Sequence, residues 1–116
     1  MHKVLLVDDD ESILDYLANL LKDSYEVSTA KGPIEGFARY VDLRHDLVIV
    51  DLIMPFLDGY GLIDKIEAAG HNPKFIILTG APENIQKSEA YSDIIVVLKP
   101  FSDKAFVEAI ARVLDK

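Results

Sequence analysis

Asp46-Leu47-Val48-Ile49-Val50-Asp51-Leu52-Ile53-Met54-Pro55-Phe56-Leu57-Asp58-Gly59 decides how the rest of the chain is read. Leu47 to Val50 is an unbroken apolar run, mostly β-branched, as a strand buried on both faces requires. It carries one carboxylate, Asp51, to its carboxyl end. In open α/β sheets that edge is where ligands and chemistry sit. Pro55 and Asp58-Gly59 then break the strand and turn the chain into a helix, with Asp58 expected to fix the turn or cap that helix.

Upstream of this stretch, Val4 to Val7 reads as a first strand ending at Asp8 and Asp9. Asp10 is suited to N-cap the helix that follows, in which Ile13, Leu14, Leu17, Leu20 and Leu21 recur at helical spacing. Tyr16 widens that stripe beyond what one buried face needs, which leaves two readings: Ile13 or Tyr16 is partly exposed, or both belong to the core. Tyr25 to Ala30 alternates as a second strand. Gly32-Pro33 opens a second helix, for which Ile34, Phe37, Ala38 and Val41 are the expected inner face.

Downstream, Tyr60 to Ala69 reads as a third helix with Leu62, Ile63 and Ile66 inward and Gly70 as its stop. Phe75 to Leu78 is another doubly buried strand, ending at Thr79-Gly80. Pro82 to Tyr91 begins like a helix, but Ile85 is its single large aliphatic residue, so a weakly anchored helix is expected. Ile94 to Leu98 is the last strand and ends at Lys99-Pro100. Ser102 then caps a final helix with Phe106, Ala109, Ile110, Val113 and Leu114 inward. Strand and helix alternate throughout, which predicts a doubly wound parallel sheet with helices on both faces. Two strand orders are common for such sheets, and periodicity alone does not choose between them.

A length of 116 residues suits one domain, 1–116, and the absence of cysteine removes disulfide and thiolate chemistry. Twelve basic against 20 acidic residues give a net charge of −8, which argues against direct nucleic-acid binding. No apolar run approaches the roughly 20 residues of a membrane helix, so no membrane partner is expected and the cytoplasm is the default. His2, His45 and His71 share no ligand spacing and read as surface residues.

The unusual polar residues all fall at strand ends. Asp8 and Asp9 follow the first strand, Asp51 the third, Thr79 the fourth and Lys99 the fifth, so all lie on one edge of the sheet. Carboxylates crowded together repel unless a cation neutralises them, and oxygen donors without His or Cys suit a hard ion such as Mg²⁺. With the Lys99 ammonium and the Thr79 hydroxyl, the set describes a phosphoryl site whose nucleophile is a carboxylate.

In this ordered set (Asp8-Asp9, Asp51, Met54-Pro55 through Asp58-Gly59, Thr79-Gly80, Lys99-Pro100-Phe101) the chain resembles the receiver domains of two-component response regulators. The resemblance implies a flavodoxin-like (βα)5 sheet of order 2-1-3-4-5 in a three-layer α/β/α sandwich. It implies Asp51 as phosphoacceptor, Asp9 as direct Mg²⁺ ligand with Asp8 assisting through water, and the Ile53 carbonyl as a further ligand. Thr79 and Lys99 would meet the phosphoryl oxygens. Pro55, Asp58 and Gly59 would shape the turn, and Lys99-Pro100 would be cis. The implied partners are a histidine kinase or histidine phosphotransfer protein, docking near the start of the first helix, and a downstream protein or attached output domain. A phosphorylation-dependent homodimer belongs to the same set. One position departs: receivers usually carry Tyr or Phe three residues before the lysine, and here it is Val96.

Two other functions compete. A receiver-like docking or dimerisation module that is never phosphorylated would tolerate Val96, but would have no need to keep Asp8, Asp9, Asp51, Thr79 and Lys99 together. A phosphohydrolase resembling the haloacid dehalogenases would use Asp8-x-Asp10 as its nucleophile motif, yet no paired carboxylates follow Lys99. Flavin binding finds no Ser/Thr/Gly-rich loop after the first strand. The receiver is expected to be a signalling phosphoacceptor, an enzyme only toward its own phosphorylation and slow dephosphorylation.

Overall fold

Strands apolar on both faces need a layer above and a layer below, and the chain supplies both. The computed structural model describes residues 1–115. Five strands, β1 (Lys3–Asp8), β2 (Glu26–Lys31), β3 (Leu47–Asp51), β4 (Lys74–Thr79) and β5 (Ile95–Leu98), pair in parallel in the order β2-β1-β3-β4-β5. Four helices pack on them: α1 (Glu11–Leu21), α2 (Pro33–Leu43), α3 (Gly59–Ala68) and α4 (Asp103–Leu114). This is the flavodoxin-like arrangement.

Alternation along the strands divides the core in two. Leu5, Val7, Val48, Val50 and Ile77 face α2 and α3, where Tyr40, Leu62, Ile63 and Ile66 complete one cluster. Val4, Leu6, Leu47, Ile49, Ile76 and Leu78 face α1 and α4, meeting Leu14, Leu17, Leu21, Phe106 and Ile110. Each such fully buried side chain contributes about 1.5–3 kcal/mol relative to exposure. Three helices begin as their sequences predict. Asp10 accepts from the Ser12 N–H, Asp58 from Gly61 and Ser102 from Ala105, at 2.9, 2.8 and 3.0 Å. A cap of this kind stabilises a helix by about 1 kcal/mol.

Three expectations are corrected. The helix α2 presents Pro33, Gly36 and Tyr40 to the core, with Phe37 half-buried, whereas Ile34, Ala38 and Val41 are exposed. Gly36 causes the rotation: a Cβ there would lie 3.0 Å from both Val7 methyl carbons, so the glycine face is the one that can approach the sheet. The segment Pro82 to Tyr91 is not an α-helix but two short 3₁₀ turns, Pro82–Asn84 and Glu89–Tyr91, because it lacks the apolar stripe that would hold a helix to the sheet. His45 is buried, not exposed. Arg44 ends α2 in a left-handed conformation (φ 53°) and folds the next residue beneath Tyr40, 6.2 Å between ring centroids. Neither His45 ring nitrogen has a protein hydrogen-bond partner, and burial holds its pKa below the ordinary value.

The turn from β3 into α3 is tight. Leu57 N–H donates to the Pro55 carbonyl at 2.9 Å around Phe56, whose φ is +73° and whose ring is 94% exposed. A three-residue turn at positive φ strains a bulky residue by about 1–3 kcal/mol. Phe56→Gly is therefore expected to raise stability by about 1 kcal/mol, read as a higher urea midpoint at unchanged slope. Gly59 follows in a position no larger residue suits, since a Cβ would sit 3.1 Å from the Asp51 carbonyl oxygen and from Leu52 Cα.

Candidate functional site

The strand order places a crevice between β1 and β3, where the connections diverge to opposite ends of the sheet. Such switch points are where doubly wound sheets bind ligands. Asp8 ends β1 and is 3% exposed; Asp51 ends β3 and is 8% exposed. Asp9, one residue beyond, is exposed. One carboxylate oxygen from each of Asp8, Asp9 and Asp51 lies within 4.8 Å of the other two.

Lys99 reaches this cluster from beyond β5. Its Nζ is 3.4 Å from Asp51 Oδ2 and 3.7 Å from Asp8 Oδ2. Asp8 Oδ1 accepts from the Asp10 N–H at 2.9 Å, while the buried Oδ2 has no hydrogen-bond partner. Burial raises the Asp8 carboxyl from 3.8 to about 6, the Asp10 N–H opposing this and the Asp51 charge adding to it. Burial likewise raises Asp51, with Lys99 pulling it back. Three carboxylates and one ammonium leave the cluster short of positive charge. The donor set is all oxygen, and one of its oxygens is orphaned. Both features fit a hard divalent cation.

Thr79 ends β4, fully buried, and its Oγ1 accepts from the Ala81 N–H at 3.0 Å. The Lys99 N–H donates to the Thr79 carbonyl at 2.8 Å, so the threonine and the lysine ride on one backbone link. The Lys99–Pro100 peptide is cis. Ile53, Pro55 and Asp58 lie in the turn after Asp51, and Val96 is half-buried on β5. All the residues singled out at strand ends thus meet at one edge.

Residues 4–111 match the family described as the response regulator receiver domain. The chain belongs to that family. Among relatives of receiver length, the chemotaxis protein CheY of Halobacterium salinarum is 30% identical, the alignment covering 97% of this chain and 96% of that one. The structure of Vibrio cholerae CheY4 superposes with a TM-score of 0.88 at 31% identity, covering 98% and 99% of the two chains. The Thermotoga maritima response regulator TrrA, solved in complex with Mg²⁺-BeF, gives a TM-score of 0.86 at 27% identity over 98% and 100%. Against two transcriptional regulators, Bacillus subtilis YesN and Escherichia coli PcoR, the receiver spans 33% and 50% of the relative's length. No described helix is long and apolar enough to cross a membrane.

Tyr60 and Asp64 of α3 meet Gln86 and Tyr91 of the β4–β5 connection, a cluster that helical and strand periodicity do not mark. Tyr60 is buried with its ring 4.4 Å from that of Tyr91, and its hydroxyl oxygen accepts from the Gln86 N–H at 2.8 Å. The available signal was an aromatic residue, Tyr91, in an otherwise polar segment.

Proposed function

We propose that this receiver accepts a phosphoryl group on Asp51 from a phosphohistidine-bearing protein and signals its phosphorylation to a partner. The observation that carries the reading is the Lys99 ammonium, 3.4 and 3.7 Å from the Asp51 and Asp8 carboxylates at the mouth of a buried acidic pocket. An Asp51 oxygen attacks phosphorus, the donor's N–P bond breaks, and the leaving imidazole takes up a proton. An acyl phosphate remains on Asp51. Lys99 faces the negative charge on the phosphoryl oxygens, and the Thr79 hydroxyl donates to one of them. Asp8, Asp9, Asp51 and the Ile53 carbonyl would hold Mg²⁺, whose charge would offset that of the carboxylates and the incoming phosphoryl group.

A donor surface adjoins the site. Ile13, Tyr16, Leu17, Lys99, Pro100 and Phe101 line a cavity of about 410 Å³. Tyr16 is 54% exposed and its hydroxyl bonds Asp103. An apolar groove beside the acceptor suits the helix face of a kinase or phosphotransfer protein.

Incubation with a small-molecule phosphodonor and Mg²⁺ tests the reading by intact mass. Wild type is expected to gain one phosphoryl group and Asp51→Asn none; equal behaviour of the two proteins would reject it. Val96 on β5 and the missing helix between β4 and β5 favour one alternative, a docking module that is never phosphorylated. Such a module would leave both proteins unmodified.

A further inference from the structure

The connection from β4 to β5 is tied to the rest of the molecule at few points. Among the described residues, segment 81–93 has three hydrogen-bonded links to β4 and α3, and its other bonds close within it or onto Ile94, whose N–H donates to the Tyr91 carbonyl at 3.1 Å. At its start, the Ala81 N–H donates to Thr79 Oγ1 at 3.0 Å. At its middle, the Gln86 N–H donates to Tyr60 Oη at 2.8 Å. Near its end, Tyr91 Oη donates to the Asp64 carboxylate, at 2.8 and 3.0 Å from its two oxygens. Tyr60 and Asp64 both belong to α3, and the Tyr60 and Tyr91 rings pack at 4.4 Å between centroids.

We propose that Tyr60 and Tyr91 are positioning residues for Thr79: they clamp the β4–β5 connection to α3 and so hold the threonine hydroxyl on Ala81 until phosphorylation at Asp51 competes for it. The inference rests on Asp51 being the acceptor. Turning the hydroxyl toward a phosphoryl group takes it off the Ala81 N–H, which then needs another partner or water. The connection must shift to provide one. A rigid helix anchored by an apolar face would resist that shift. Here the resistance comes from two phenol hydroxyls and one ring pair.

Val96 cannot supply an aromatic switch from β5, but it packs against the same cluster as Tyr91. The aromatic contacts of this connection are instead those between Tyr91 and Tyr60. Because a ligand shifts an equilibrium only through its different affinity for the two states, the coupling runs both ways. Loosening the clamp must strengthen phosphoryl binding.

Beryllofluoride with Mg²⁺, a phosphoryl mimic, tests this by amide hydrogen exchange and titration on wild type, Tyr60→Phe and Tyr91→Phe. Each substitution removes one oxygen and keeps the ring, and circular dichroism checks the fold. In wild type the mimic is expected to accelerate exchange at Ala81 and Gln86 about tenfold. Both variants should exchange fast at those amides without the mimic and bind it about fivefold more tightly, at the lower end of common couplings. A merely structural role would alter stability without tightening binding. If Leu52 and Lys99 respond to the mimic while Gln86 does not, or if both variants bind with wild-type affinity, the clamp is rejected and the acceptor stands. If Leu52 and Lys99 do not respond in wild type, the acceptor reading falls and the clamp with it.

Discussion

Phosphoryl incorporation by Lys99→Met is expected to fall about 10²- to 10³-fold, the usual cost of deleting one group that faces developing charge. Methionine keeps most of the length of the side chain, so packing against the cis Lys99–Pro100 turn survives and the ammonium alone is lost. Two effects add. The phosphoryl oxygens lose a positive partner. Asp51, already raised by burial, also loses the charge that pulls it back, so less of it is ionised at neutral pH. Activity should therefore recover in part as pH rises, which distinguishes loss of ionised nucleophile from misfolding. Removing the ammonium that lies beside two buried acids should also cost about 2 kcal/mol of stability at pH 7, below the range for fully buried pairs because Lys99 is partly exposed. A time course with a small-molecule donor at several pH values checks this, and wild-type rates would overturn the role of Lys99.

Asp8→Asn is expected to make the metal-free protein more stable, by about 2 kcal/mol at pH 7. The Asp8 carboxyl titrates at about 6 in the folded chain against 3.8 ordinarily. Between those values the folded state binds more protons than the unfolded state, so wild type gains stability from this group as pH falls toward 4. At pH 7 the charge is held at a cost, and asparagine removes the charge while still offering an oxygen to the Asp10 N–H. His45 works in the opposite direction. Buried between Tyr40 and the sheet edge, and facing Lys3, Glu26, Arg39 and Asp46, its pKa lies below 6.5, so stability is lost as pH falls through 6.5. The two groups offset each other in wild type. In Asp8→Asn the gain from Asp8 is absent while the His45 loss remains, so stability should hold up less well on acidification than in wild type, with the raised Asp51 still supplying some gain. Urea unfolding in chelator from pH 7 to pH 4.5 measures both effects. On the proposed reading, in which Asp8 helps hold Mg²⁺, the variant should bind the ion about tenfold more weakly.

Most of the architecture could be read from residues because the strands are so plainly apolar. Leu47 to Val50 and Phe75 to Leu78 have no face on which water could be tolerated, which forces a central position in a covered sheet. The order of the strands was different: alternation allowed two, and the ordered set from Asp8 to Pro100 selected one by resemblance. Local patterns failed where a residue's surroundings came from distant chain. The outward roll of Ile34 and Val41 depends on Gly36 meeting Val7, which no helical period reveals. His45 looked solvated beside Arg44 and Asp46, yet the left-handed residue before it folds it under Tyr40. Pro82 to Tyr91 carried its warning openly, one large aliphatic residue in ten, and a helix without a stripe was never a stable outcome.

Asp51 stands on the stiffest part of the molecule. All five residues of β3 are buried, its two neighbours β1 and β4 grip both edges, and its side chains alternate between the two cores. Displacing that strand would mean repacking both halves of the interior at once. β5, by contrast, is a four-residue border strand with no strand beyond it and only partial cover. Compliance therefore increases outward from β3, and on the β5 side a displacement begun at Asp51 travels through the rim that holds Thr79 and Lys99.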